Sequence, residues 1–518
     1  MTHSTDVLLI NPPFLTLTSV IGVGHQIPLG LLMVGGALLD SGLRTHLLDA
    51  EANHLSIPDI VAEVLRLRPR IVMSGHAGST PAHTICTQLF AAIKRAAPRT
   101  VCIYGGPYPT YHAREILAAH PEVDIIVRGE GEATSVDLVR AILNYDPLEN
   151  IHSIAFKNVL NQIQFTPERE PLNMNDTRPA WELLDENNSW DLYQCFGMGR
   201  AVIVQFSRGC PHHCTYCGQR GFWMKWRHRD PVALADEIEW LVKNRNVRFI
   251  TLADENPTTL PGPWNHFLAE VARRNLPVKF FATIRASDIV REKNRLPLWH
   301  AAGIQYILMG IDGTDEATLK AIRKGSTTRV DLDACRLLRQ HNIYSMVARI
   351  VGLAEERWST FWHAFKQLRL YDGDYVNLMY VTPHAWTAFA QESATRPVAD
   401  EDLTHWSYRR PVLGQSHMHA WQTFLAVKLL EFAFHNRPTR LWRMLTQSRF
   451  SRQQFLWCTQ HIGAVWLAEI FDFLKTPPVS TGKSLYQFQD ANVGESRHQE
   501  RLQLRIRTAP RQLERASP

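Results

Sequence analysis

The chain has 518 residues, is 45% hydrophobic and carries a net charge of only +6, so it can bury about three globular cores and needs no nucleic-acid partner to balance its charge. Its eight cysteines form no regular framework of pairs and only three cluster, which disfavours a secreted disulfide scaffold and leads us to expect a reducing cytoplasm. No charged, cleavable leader is evident, and no apolar run reaches the roughly 18 residues of a spanning helix.

From the N-terminus, short β-rich runs at Val7–Ile10, Thr45–Asp49, Ile71–Gly75, Val101–Tyr104 and Asp124–Val127 alternate with amphipathic segments. That alternation predicts a parallel sheet wound on both faces over residues 1–147, with ligands at the loops that follow the strands. These loops are rich in Gly and Pro: Asn11–Pro13, Ser74–Thr80, Gly105–Thr110 and Arg128–Glu132. Ser74, Gly75, Thr80, Gly105, Gly106, Pro107, Gly129 and Glu130 are therefore candidate ligand contacts, because glycine lets backbone approach a bulky group while hydroxyls and amides supply uncharged hydrogen bonds. Tight loops without a ligand would have the same composition.

Residues 148–200 read as a linker holding a hairpin, Ile151–Phe156 with Gln162–Phe165, before a polar stretch. Over 201–383 six further strand candidates follow, at Val202–Phe206, Phe249–Ala253, Val278–Thr283, Gln305–Met309, Tyr344–Val351 and Tyr375–Val381. They predict a partial (β/α)6 barrel with its chemistry at the C-terminal strand ends. Beyond 384 the alternation stops and a Trp- and His-rich helical domain is expected to residue 518, ending in a basic tail with Arg497, Arg501, Arg505, Arg507, Arg511 and Arg515. The tail is expected to be solvated; contact with a membrane surface or an acidic partner is the alternative. The fold class is thus α/β with a helical C-terminal domain.

Cys210, Cys214 and Cys217 directly follow the first barrel strand. Three soft thiolates in eight residues can hold three irons of a 4Fe-4S cluster and leave the fourth open to a small molecule; a zinc site or incidental cysteines are the competing readings. Other strand ends carry candidate polar contacts: Asp254 and Glu255, Arg285, Asp312, Arg349 and Gly352. A helix-capping turn, a surface ion pair and a backbone requirement are the respective structural alternatives for the Asp254–Glu255 turn, Arg285 and Gly352.

The C-x3-C-x2-C pattern with an aromatic before its last cysteine resembles the radical S-adenosylmethionine superfamily. The resemblance implies that the methionine moiety chelates the open iron, that reductive cleavage yields a 5'-deoxyadenosyl radical, and that Asp254, Glu255, Arg285, Asp312, Arg349 and Gly352 contact S-adenosylmethionine, with Asp312 standing where Glu is usual. The upstream N-P-P, P-L-G-L, G-G-P and R-G-E-G-E runs resemble the cobalamin-binding domain of one subclass. The D-x-H-x-x-G motif that places a histidine under cobalt is missing, so neither His25 nor His76 is assigned that role.

The flanks Ser207–Pro211, Phe222–Pro231 and Tyr408–His417 are similar to those of the anaerobic magnesium-protoporphyrin IX monomethyl ester cyclases of bacteriochlorophyll synthesis. That similarity implies oxidative closure of the isocyclic ring of a magnesium-porphyrin, with oxygen from water, and an external electron donor such as flavodoxin or ferredoxin. The magnesium would arrive within the substrate. A cobalamin-dependent radical C-methyltransferase and a non-catalytic tetrapyrrole-binding protein remain alternatives at this stage.

Overall fold

The computed structural model describes residues 5–14, 26–76, 80–186, 189–195, 197–219, 221–223, 225–446 and 449–491. His25, the middle of the 74–80 loop and the arginines beyond 491 lie outside the described residues.

Strands β1 (Val7–Asn11), β2 (Thr45–Asp49), β3 (Ile71–Gly75), β4 (Val101–Gly105) and β5 (Ile125–Val127) form a parallel sheet in the order β2-β1-β3-β4-β5. Their buried apolar runs are what a sheet covered on both faces requires. Helices α1 (Leu29–Asp40), α2 (Ile57–Leu67) and α3 (Ala82–Ala96) make the first three crossovers, two short helices at Pro107–Tyr111 and Ala113–Ala119 make the one from β4 to β5, and α4 (Glu132–Asn144) follows β5. Helix α2 begins on a capping box in which the Ser56 side chain accepts from the Asp59 N–H and the Asp59 carboxylate accepts from the Ser56 N–H.

The stretch expected to be a linker does more than connect. Its hairpin, β6 (Ile154–Lys157) and β7 (Ile163–Phe165), adds antiparallel to β5 and completes a seven-stranded sheet. Strand β5 is only three residues long, and pairing covers an edge that would otherwise stay open. The chain then crosses α1, where the Ala180 N–H donates to the Leu32 carbonyl at 2.9 Å.

The second sheet contains β8 (Ala201–Val204), β9 (Phe249–Leu252), β10 (Lys279–Thr283), β11 (Ile304–Asp312), β12 (Tyr344–Val351) and β13 (Tyr375–Tyr380), all parallel and in sequence order. Consecutive parallel neighbours are the pattern of a barrel opened at one side. Between them run α5 (Pro231–Arg245), α6 (Pro261–Arg274), α7 (Thr328–Gln340) and α8 (Trp358–Tyr371), among shorter helices. Asp230 starts α5 by accepting from the N–H groups of Val232 and Ala233 at 3.0 and 2.8 Å.

From His384 to His419 the chain is mostly irregular, with only a five-residue helix at Ala388–Glu392 and a single turn at Leu403–His405, and the helical part begins later than expected, with α9 (Ala420–His435), α10 (Pro438–Thr446) and α11 (Arg449–Lys475). Among the described residues no helix is long and apolar enough to cross a membrane.

Candidate active site

The cysteine loop leaves β8 through Gly209, whose φ is +94° and where a Cβ would stand 2.7 Å from the Lys225 carbonyl oxygen. Only glycine fits, because the position is left-handed and pressed against the returning strand. That strand pairs Ser207 and Arg208 with His228 and Arg227, making a short antiparallel clip around the loop. The Phe222–Pro231 flank singled out in the sequence therefore forms the other wall of the cysteine loop.

Two buried acids brace this entry. The Asp254 carboxylate accepts from the N–H groups of Phe206 and Ser207 and from the Ser207 hydroxyl, and Glu255 accepts from the Gly209 N–H at 3.0 Å. Burial pushes both acids up to about 7. The Asp254 oxygens hold the loop that carries Cys210, and Glu255 does the same one residue further along. Sequence placed both at the right strand end without revealing which way their hydrogen bonds ran.

No disulfide joins any of the eight cysteines. Cys214 is buried, whereas Cys210 and Cys217 are partly exposed. Burial pushes the Cys210 thiol up to about 11, with Cys217 and Cys214 close enough to add to the rise. Such a thiol ionises when a metal or cation takes its charge. Arg285 provides a cation, with Nη1 3.9 Å from the Cys214 sulfur and Nη2 donating to the Lys324 carbonyl. Among the described residues no three His, Cys, Asp or Glu side chains converge as ligands of a single ion do. A cluster that gives each thiolate its own iron asks for no such common point.

Around this loop stand buried groups with bonding capacity to spare. Nε of Arg285, and Nε and Nη1 of Arg349, have no hydrogen-bond partner among the described residues. Arg349 is 1% exposed and donates Nη2 to Glu356 at 2.8 Å, while Glu356 also accepts from the Gly352 N–H at 2.7 Å. At the end of β11, Asp312 sits at φ +60° beside a register shift, pairs with Lys324 and accepts from the Tyr216 hydroxyl at 2.6 Å. Tyr216 is the aromatic before the last cysteine, so this bond ties the cysteine loop to β11. Lys324 and Glu356 were missed as site residues. Lys324 had a signal in the Arg-Lys-Gly run; Glu356 had none.

The first domain meets the same loop. Arg208 pairs with Glu132 at 2.5 Å and lies 3.5 Å from Glu130, which also pairs with Arg227. Glu130, expected among the cobalamin contacts, takes part in an ion-pair network fastening the R-G-E-G-E loop to the flanks of the cysteines. Ser74 likewise has an internal partner, donating its hydroxyl to the Ile10 carbonyl at 2.9 Å and holding β3 to β1. Gly75 lies where a Cβ would come within 2.5 Å of the Gly105 carbonyl oxygen, so these strands can approach only without a side chain. Gly129 has open space around it, Gly105 has its nearest neighbours 4.0 Å from a Cβ position, and Gly106 and Pro107 open the helix at 107–111. Gly75→Ala is expected to lower stability by about 1–3 kcal/mol and to weaken retention of added cobalamin, both measurable by denaturation and by the absorbance of cobalamin that co-elutes with the protein.

A third element closes the junction. His384 Nδ1 lies 3.2 Å from the Thr80 hydroxyl and its Nε2 lies 2.6 Å from the Tyr408 hydroxyl, while its ring fills the space beside Gly218. Burial pushes His384 down to about 4, so it is neutral at physiological pH. Trp386 donates Nε1 to the Gly218 carbonyl at 2.7 Å and stacks on Tyr111 at 4.5 Å between ring centroids. Beside them opens a cavity of about 260 Å³, lined by residues including Thr80, His83, Tyr108, His384 and Trp406. His83 Nδ1 is buried there without a hydrogen-bond partner among the described residues. Within the Trp- and His-rich C-terminal domain, Tyr408 reaches this junction, whereas His435 serves the core by accepting from the Val376 N–H at 3.3 Å.

The comparisons with known proteins agree with this anatomy. Residues 204–368 match the model of the radical SAM superfamily, and residues 18–139 match that of the B12 binding domain. The chain is 42% identical over 484 residues to the anaerobic magnesium-protoporphyrin IX monomethyl ester cyclase of a Synechocystis strain, covering 93% of this chain and 96% of that protein. The chain belongs to the anaerobic magnesium-protoporphyrin IX monomethyl ester cyclases. The cyclase of Rubrivivax gelatinosus is 30% identical, with 79% of this chain and 73% of that protein covered. Among solved structures, the cobalamin-dependent radical enzyme OxsB superposes with a TM-score of 0.65 at 16% identity, covering 92% of this chain and 74% of its own. The methyltransferase TsrM from Kitasatospora setae gives 0.62 at 18% identity, with 76% and 75% covered. These likenesses establish the shared fold. As a radical SAM cyclase with a B12-binding domain, the chain uses a 4Fe-4S cluster, S-adenosylmethionine and cobalamin, and the residues present fit them: three free soft thiols on one loop, orphaned guanidinium groups around the barrel mouth, and open space at Gly105 and Gly129.

Proposed function

We propose that this chain closes the isocyclic ring of magnesium-protoporphyrin IX monomethyl ester to give divinyl protochlorophyllide, taking the new oxygen from water. The observation that carries this reading is 42% identity over 93% of the chain to a cyclase of that name, a span that includes the cysteine loop and both domains that clasp it. When bound, the cluster and S-adenosylmethionine supply a carbon radical strong enough to take hydrogen from the unactivated propionate chain, and cobalamin supplies a second redox centre.

The protein's own contribution is placement and exclusion of water. Cys210, Cys214 and Cys217 hold the cluster on a loop made rigid by Asp254, Glu255 and the Gly209 turn. Arg285 and Arg349 present unpartnered N–H groups suited to a carboxylate, and Asp312, held by Lys324 and Tyr216, has a lone pair left for a ribose hydroxyl. Gly352 is anchored on both sides, donating to Glu356 and accepting from Arg396 at 2.9 Å, which leaves a flat backbone surface for an aromatic base. The edge formed by Gly75, Thr80, Gly105, Gly106, Pro107 and Gly129 receives cobalamin. His384, Trp386 and Tyr111 seal the junction between the two sites. Electrons come from an external donor of the flavodoxin or ferredoxin type.

The test is anaerobic reconstitution with iron, sulfide and cobalamin, followed by incubation with S-adenosylmethionine, a reductant and the magnesium-porphyrin ester. Divinyl protochlorophyllide is expected, with label from oxygen-18 water in its keto group. S-adenosylhomocysteine with a methylated porphyrin would assign the chain to the methyltransferases instead, and failure to cleave S-adenosylmethionine would reduce it to a binding protein.

A further inference from the structure

Helix α9 inverts the usual pattern of a surface helix. Each of its exposed positions is apolar: Trp421, Leu425, Leu429, Phe432 and Ala433. The four large side chains are 55, 41, 52 and 57% exposed, and their spacing of four, four and three places them in one stripe. Its two charged residues point inward, where Lys428 pairs with Glu431 and Glu469. Helix α9 packs against α8, and against α11 through the stacked rings of Phe424 and Phe473, centroids 4.0 Å apart, so the stripe lies among packed neighbours and not on a frayed end.

The neighbours extend it. On α8, Trp358 and Trp362 are 45 and 59% exposed, and Lys366 and Arg369 continue the same row, with the Lys366 ammonium 5.4 Å above the Trp362 ring. On α10, Leu441 and Trp442 are 40 and 67% exposed. Across α8, α9 and α10 the single acidic residue is Glu431, and it is buried.

We infer that α8, α9 and α10 form a face that docks on a membrane surface bearing anionic lipid. Exposed tryptophans, an aliphatic stripe and cations, with no accessible carboxylate on these three helices, are the features by which a helix lies in a lipid interface, apolar side chains entering and cations reaching the headgroups. A second copy of this chain fits the face less well. A symmetric contact would bring Lys366 and Arg369 of both copies together with no acid on these helices to pair with them. Residues 492–518 add six arginines against three glutamates to the same chain.

The experiment is flotation of the full chain with vesicles of equal parts phosphatidylglycerol and phosphatidylcholine, and with vesicles of phosphatidylcholine alone. The protein is expected to float with the anionic vesicles. A Trp421→Ser, Phe432→Ser double variant should bind them about tenfold or more weakly, and a Lys366→Glu, Arg369→Glu double variant should lose the preference for anionic lipid. Because all four side chains are exposed, the thermal melting of both variants should match that of the parent. Three outcomes would overturn the inference: the parent stays unbound, the variants float like the parent while a chain ending at residue 491 does not, or the parent sediments as a dimer that the double Ser variant makes monomeric.

Discussion

A Cys214→Ser chain, reconstituted anaerobically with iron and sulfide, is expected to lack the visible absorption of a 4Fe-4S cluster and to form no more protochlorophyllide than a protein-free control. The serine oxygen is a hard donor facing a soft metal, and the position is buried, 3.9 Å from the Arg285 guanidinium, so no outside ligand can readily replace the sulfur. Cys210→Ser and Cys217→Ser should behave alike. The informative control is Cys195→Ser, which lies outside the loop and should keep its iron content. Burial pushes the thiols of Cys86 and Cys102 up to about 12, and neither lies on the cysteine loop. Full iron loading and turnover in Cys214→Ser would remove the loop from the mechanism.

Glu356→Ala is expected to give the largest loss of stability among the charge removals, about 3–5 kcal/mol by equilibrium denaturation. It strands Arg349, a guanidinium 1% exposed with Nε and Nη1 already unpartnered among the described residues, and it takes away the acceptor of the Gly352 N–H. Glu356→Gln should cost less, because an amide oxygen can still accept from both donors while the ion pair is lost. Replacing Arg349 and Glu356 together by methionine should recover much of the loss, since no uncompensated charge remains. If Arg349 also grips S-adenosylmethionine, the recovered double variant will fold but bind that ligand weakly, a split that a purely structural pair would not produce. A Glu356→Ala cost below about 1 kcal/mol would show that Arg349 reaches another partner.

Much of the architecture was legible in the sequence because it is encoded in short-range periodicity. Five of the six barrel strands fall within two residues of their expected bounds and the fourth runs three residues further, to Asp312, while the five parallel strands of the first sheet fall within one. The hairpin was seen as a hairpin, but its partner was not, because strand pairing between residues about 30 apart, such as Ile125 with Phe156, leaves no local trace. The same limit explains the site. Asp254, Glu130 and Ser74 have the right chemistry at the right strand ends, yet their hydrogen bonds go to Ser207, Arg227 and Ile10, and each of those choices depends on which loop lies opposite.

The cysteine spacing alone determined that this protein carries a metal-sulfur loop with a position to spare, since ligand chemistry and the reach of eight residues are local properties. Alternation of strand and helix determined that the loop follows the first strand of a parallel barrel and that another α/β domain precedes it in the chain. Only the tertiary structure decided which acids brace the loop, that Glu130 and Glu132 clasp it to the first domain, that His384 and Trp386 seal the seam, and that α8, α9 and α10 leave an apolar face outward. Those depend on charges and surfaces brought together from distant parts of the chain, and their pairing is settled by packing.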